Sequence, residues 1–188
     1  VIEARTWGSS VARIVAGHPC RAEVEGEELL IGTEPLVAQV GNSRWSGVTS
    51  DAGTTLRRDG QPIVRIRELD GEPGVDGRSE ETSGGAPAGL AGASPHRGEK
   101  ASRGIVVFDP NDSVILHVSG DGAVANARGE ILRRAQPERA QVKIGDSVVL
   151  GTTDVALAVL MTAPELVPEV RGLAACQRLF AREQATRK

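Results

Sequence analysis

The chain has no tyrosine, only two phenylalanines and only two tryptophans among its 188 residues. Any core must therefore be assembled from Val, Leu, Ile and Ala, with almost no ring stacking available. The same scarcity excludes the aromatic platforms on which single-stranded nucleic acid is held. Cysteine is equally sparse. Cys20 and Cys176 are too few for a disulfide framework or a zinc site, and the expectation is two unpaired thiols in a reducing compartment. Three scattered histidines, His18, His96 and His117, do not form a metal-ligand set, and neither a Walker-type loop nor a dinucleotide fingerprint occurs. No metal or cofactor is expected. A formal net charge of -3 gives no general attraction for nucleic acid or anionic lipid, so any basic footprint has to be local. No apolar run reaches the roughly 18 residues of a membrane span, and residues 1–17 lack the basic start and long apolar centre of a signal peptide. A cytoplasmic protein is the resulting expectation. Met161 is the single methionine and the chain opens on Val1, which reads as a GTG start codon in a GC-rich bacterial genome.

What the chain does have is a rhythm of short β-branched runs and turn residues. Residues 28–31 and 36–40 flank the turn signal Gly32-Thr33-Glu34-Pro35; residues 54–58 and 63–67 flank Asp59-Gly60. In the second of these pairs Val64 and Ile66 alternate with Arg65 and Arg67, the pattern of a half-buried antiparallel strand. Residues 70–103 break the rhythm. They are rich in Gly, Ser, Pro, Ala and charge, with Val75 and Leu90 as their only large aliphatics, and are expected to be a flexible insert. Strands resume at 105–108 and 114–118, then at 142–144 and 148–150. Gly47 to Arg58 also lines up with Ala123 to Arg134, matching Val48 with Val124, Gly53 with Gly129 and Leu56-Arg57-Arg58 with Leu132-Arg133-Arg134. A duplicated strand-turn-strand unit and a chance match of sparse identities both remain open.

The end of the chain is helical. Thr152-Thr153-Asp154 supplies N-cap chemistry for the apolar run 155–163, which Pro164 stops. With no polar face, that run needs enclosure by other structure. At about 1.5 Å per residue it spans about 15 Å, half a bilayer core, so it reads as a buried helix. After Pro168, Val170, Leu173, Cys176 and Phe180 recur at helical spacing while Arg171, Arg178, Arg182 and Glu183 stay polar. This predicts an amphipathic helix within 164–188, packed on the outside.

These residues, the G-x-V-x-(N/D)-A-x-G-E strand-turn-strand around Val124 to Arg134 and the helix from Asp154 to Ala163, together resemble the tubby C-terminal-like superfamily. Its members include LURP-one-related proteins and phospholipid scramblases. The resemblance covers residues 25–67 and, better, 105–163, and it implies a mainly β fold with C-terminal helices. In that arrangement an antiparallel β-barrel of two strand sets, 1–69 and 104–163, closes around the short hydrophobic helix and leaves a plugged interior. The long insert and the near absence of aromatics set this chain apart from the family.

Candidate chemistry is thin. Asp109-Pro110-Asn111-Asp112-Ser113 lacks the Gly and Glu positions of a calcium loop and reads as a turn. The stronger candidates are Arg57, Arg58, Arg65, Arg67, Arg133 and Arg134, whose forked donors suit phosphate or acidic head groups if the two hairpins place them in one patch. The competing reading is a solvated strand face that discourages edge pairing. Family resemblance implies that such basic barrel residues bind anionic phospholipid. The first expectation is thus a non-enzymatic binding domain, peripheral to a membrane, for anionic lipid or a protein partner. Two alternatives stay open: a small thiol enzyme or redox protein using Cys20 beside His18, and an adaptor acting through the insert.

Overall fold

Alternation of small apolar and charged residues sets the strands. In β1 (Ile2–Thr6), Ile2 and Ala4 are buried while Glu3 and Arg5 face outward, and in β3 (Cys20–Val24) Cys20, Ala22 and Val24 are buried between Arg21 and Glu23. The computed structural model describes residues 1–69 and 104–188; the expected insert at 70–103, with His96, lies outside the described residues. The remaining strands of the first part are β2 (Ser9–Val15), β4 (Glu27–Thr33), β5 (Leu36–Val40), β6 (Ser43–Ser50), β7 (Gly53–Arg58) and β8 (Gln61–Glu68). Those of the second are β9 (Ile105–Phe108), β10 (Val114–Val118), β11 (Ala123–Ala125), β12 (Ile131–Glu138), β13 (Gln141–Ile144) and β14 (Ser147–Leu150).

Every strand pairs antiparallel with its neighbours in sequence, and β14 pairs back onto β1, so the sheet is one closed barrel without an edge. β8 and β9 are joined across the segment 70–103 by the pairing of Arg65 with Phe108, and the Leu69 N–H donates to the Gly104 carbonyl at 2.8 Å. The fold is therefore mainly β, closed and antiparallel. β1 to β3 were not foreseen: in β1 and β3 the inward positions include Ala4, Cys20 and Ala22, which carry little strand signal, whereas β2 holds Val11, Ile14 and Val15 and its pattern was passed over.

Strict up-and-down order gives the barrel two ends. The proximal end holds Ile2, the turns from even to odd strands and the exit of β14; the distal end holds the turns from odd to even strands. One proximal turn depends on glycine. Gly122 has φ of 100° and a Cβ there would collide with the Ala135 carbonyl oxygen. Gly122→Ala is expected to lower the unfolding free energy by about 1–3 kcal/mol, read from the urea midpoint; an unchanged midpoint would contradict the assignment.

The hairpins β6–β7 and β11–β12 contain the aligned segments, but they differ. Val48 opposes Thr55 whereas Val124 opposes Arg133, and their turns lie at opposite ends of the barrel. An offset of five strands inverts direction in an up-and-down sheet, so the two units are not superposed by the barrel's own order.

Helix α1 (Val155–Thr162) starts at the proximal end, with Asp154 as N-cap, and every residue from Val155 to Met161 is buried. It packs against β12, β13, β1 and β2 and against α2 (Pro168–Thr186), which returns antiparallel to it. α2 does not lie on the outer surface as its amphipathic spacing suggested. Val170 to Cys176 are buried, and Gly172 faces Ala22, Val24 and Leu29, all core residues of β3 and β4. The charges that read as a solvent face, Arg171 and Arg178, are buried too and find carboxylates on distant elements. That pairing is what lets a helix of mixed composition be covered.

Candidate functional site

The six arginines singled out from the sequence do not form one patch. Arg57 and Arg58 end β7, Arg65 and Arg67 lie on β8, and Arg133 and Arg134 lie on β12, separated from β8 by β9, β10 and β11. Two of them are already neutralised. Arg133 holds Glu165 with two parallel bonds of 2.9 and 2.6 Å, and these hydrogen bonds keep the Glu165 carboxyl below its ordinary range. Arg65 donates to the Ala52 carbonyl at 2.6 Å and to Asp112 at 3.0 Å, and its guanidinium lies 4.3 Å from the Phe108 ring centroid. Arg134 is exposed near Asp121, whose carboxyl is lowered chiefly by the Ser119 hydroxyl and, more weakly, by the Arg134 charge.

Arg57 and Arg58 are different. The first donates only to the Gly60 carbonyl at 3.2 Å and the second only to the Ser43 hydroxyl at 3.2 Å. Arg44, which the sequence reading passed over, lies on the adjacent β6: it follows Ser43, and its backbone is tied to Asp59 in the β7–β8 turn, N–H to carboxylate at 2.8 Å and carbonyl to N–H at 2.7 Å. None of the three guanidinium groups has a carboxylate partner among the described residues. Across from Arg58, Trp45 is buried with its indole N–H lacking an acceptor, the one such side-chain atom among the described residues.

A second polar cluster, at the proximal end, locks the helices. The Asp154 carboxylate accepts from Arg178 Nε at 2.7 Å and Nη2 at 3.2 Å, and from Arg182 Nη1 at 2.8 Å, while Arg178 Nη1 also reaches Glu68 at 3.2 Å. Burial alone would push the Asp154 carboxyl up, but hydrogen bonds and charge from Arg178 and Arg182 outweigh it and hold the carboxyl below its usual range. Burial works against the Arg178 charge in the same way, and Asp154 with Glu68 more than restores it.

Beside this cluster runs a cleft of about 400 Å³ between α2 and β6 to β9, with Leu160 of α1 at its base. Its lining includes Ile66, Ile105 and Ala174 on the apolar side and Thr49, Thr54 and Gln177 on the polar side.

Cysteine chemistry takes another form than expected. Cys20, at the start of β3, is bonded to Cys176 of α2, with the two Cα atoms 6.2 Å apart across a separation of 156 residues. Neither thiol is free, which corrects the expectation of two unpaired cysteines and removes the thiolate that a nucleophilic Cys20 requires. His18 is turned to structure: its ring nitrogens bond Thr33 at 3.0 Å and Glu183 at 3.3 Å, and its edge meets Phe180 at 5.2 Å between centroids. His117 lies half-buried in β10. Asp109 caps its own turn, accepting from the Asn111 and Ser113 N–H groups at 2.8 and 3.0 Å. No His, Cys, Asp and Glu grouping fit for a metal occurs among the described residues.

Fold and site together define a closed antiparallel β-barrel with two C-terminal helices, arginine-bearing at its distal end and clefted at its proximal end. A comparison with known proteins finds no matching family model and no similar curated protein or solved structure. Among the described residues no helix is long and apolar enough to cross a membrane.

Proposed function

We propose that this chain is a non-enzymatic binding domain of tubby-like build, in which the barrel strands enclose α1, and that its distal end takes anionic phospholipid head groups. Burial of α1 on every side supports the enclosed-helix reading. One observation carries the ligand: Arg44, Arg57 and Arg58 stand on the adjacent strands β6 and β7 without a carboxylate, whereas Arg65 and Arg133 are already paired. Guanidinium groups in that state keep their forked donors for phosphate oxygens. The disulfide supports an oxidising setting in place of the cytosolic one inferred from cysteine scarcity.

Sedimentation with phosphatidylcholine vesicles, with and without phosphatidylserine, tests this reading. Basic residues near an anionic surface contribute about 1 kcal/mol each, so the Arg57→Ala, Arg58→Ala double variant should bind the acidic vesicles roughly 30-fold more weakly. Arg133→Ala, whose charge is spent on Glu165, should bind nearly as wild type. Binding should also fade as salt is raised. Equal binding by the double variant and the wild type would sink the proposal.

A further inference from the structure

We infer that the proximal cleft is a second binding site, for a neutral amphipathic small molecule with an apolar body and a hydroxyl or amide head. The packing of the helices creates it. α1 packs on β12, β13, β1 and β2, and α2 on β2 to β5, so among the described residues the proximal ends of β6 to β9 border a gap, while Trp45, Leu56, Val64 and Val107 further along these strands are buried in the core. A volume of about 400 Å³ falls in the range of small-molecule sites, roughly 300–1,000 Å³.

Charge decides the class of ligand. The charged lining balances, Arg67 and Arg178 against Asp51 and Glu68, and Arg178 is already held by Asp154 and Glu68. A ligand of either charge would meet one like charge for each opposite one, so the lining favours neither sign. Neutral polar groups, by contrast, are left unspent. Thr49 and Thr54 share one bond between their hydroxyls at 3.1 Å, which leaves each oxygen further hydrogen-bonding capacity. The half-buried Gln177 amide bonds no side chain or backbone group among the described residues, so it presents both a donor and an acceptor. Opposite them the half-buried Ile66 offers an apolar face, with the buried Ile105 and Leu160 beneath it. Hydroxyls and an amide on one wall and aliphatic carbons on the other match a molecule with one polar end. This site is separate from the distal arginines, and its failure or success leaves the lipid reading untouched.

Fluorescence titration of the full chain with N-phenyl-1-naphthylamine, a neutral apolar dye, provides the test. Saturable enhancement is expected, displaced by 1-decanol and far less by decanoate. Ala181→Trp, at the cleft on α2, should abolish the enhancement while circular dichroism and the urea midpoint stay at wild-type values. Gln177→Leu should leave dye affinity unchanged and weaken 1-decanol roughly tenfold, the loss of one neutral hydrogen bond. Absence of saturable enhancement in the wild type would overturn the inference, as would equal enhancement in the Ala181→Trp protein. Displacement by decanoate as readily as by 1-decanol would overturn the neutral-ligand class.

Discussion

Asp154→Ala lowers the unfolding free energy by about 3–5 kcal/mol, the expected effect of removing one partner from a buried ion pair. Only 2% of the Asp154 side chain is exposed, and it answers two guanidinium groups at once. Without it Arg178, itself 10% exposed, keeps its charge in a covered site with Glu68 as its remaining partner. The lost N-cap bond to the Leu157 N–H is long, 3.4 Å, and adds less. Urea denaturation reads the change directly, and a loss under about 1 kcal/mol would show that the cluster does not hold the helices. An Asp154→Leu, Arg178→Leu double variant should recover much of the loss, because it strands no buried charge: the partners left behind, Arg182 and Glu68, are exposed to water.

Acid provides an independent measure of the same cluster. The folded-state pKa of Asp154 lies below its unfolded value of about 3.9, so its stabilisation is complete above that value and is lost as pH falls through the folded pKa. Glu165, lowered by Arg133, contributes in the same direction. Wild-type stability should therefore drop below about pH 4, and Asp154→Asn should show a shallower drop over that window. Parallel acid profiles for the two proteins would contradict the pairing.

Breaking the disulfide is the second large perturbation. Replacing both Cys20 and Cys176 with Ala, or reducing the bond, should cost about 2–5 kcal/mol, since the bond closes a loop of most of the chain and ties α2 to β3. For a chain of this size that corresponds to a fall in Tm of about 2–4 °C per kcal/mol. The urea midpoint of wild type should drop with a phosphine reductant, while that of the double variant should not respond. Two titratable thiols in the unreduced native protein would refute the bond outright.

Much of the local structure was legible because its causes are local. Thr152-Thr153-Asp154 marks the start of α1, and Asp154 is its N-cap; Pro168 marks the start of α2 and stands in its first turn. Turn glycines and β-branched runs located β4, β5, β7 to β10, β13 and β14 by the same logic. β1 and β3 escaped notice because Ala4, Cys20 and Ala22 at their inward positions resemble loop composition until a neighbour covers them. The arginines were found as residues but not sorted, since nothing near Arg133 in the chain announces Glu165.

The sequence by itself determined a strand-rich chain, an apolar helix that demanded cover and a scarcity of aromatics that left aliphatics to fill the core. Only the tertiary structure decided which charges are spent and which are free. It brought Cys20 to Cys176, Asp154 to Arg178 and Glu25 to Arg171, and it set α2 against the core side of β3 and β4. The physical reason is distance along the chain. Propensity, capping and alternation act over a few residues, whereas burial and ion pairing are settled by which distant strands the closed barrel makes neighbours.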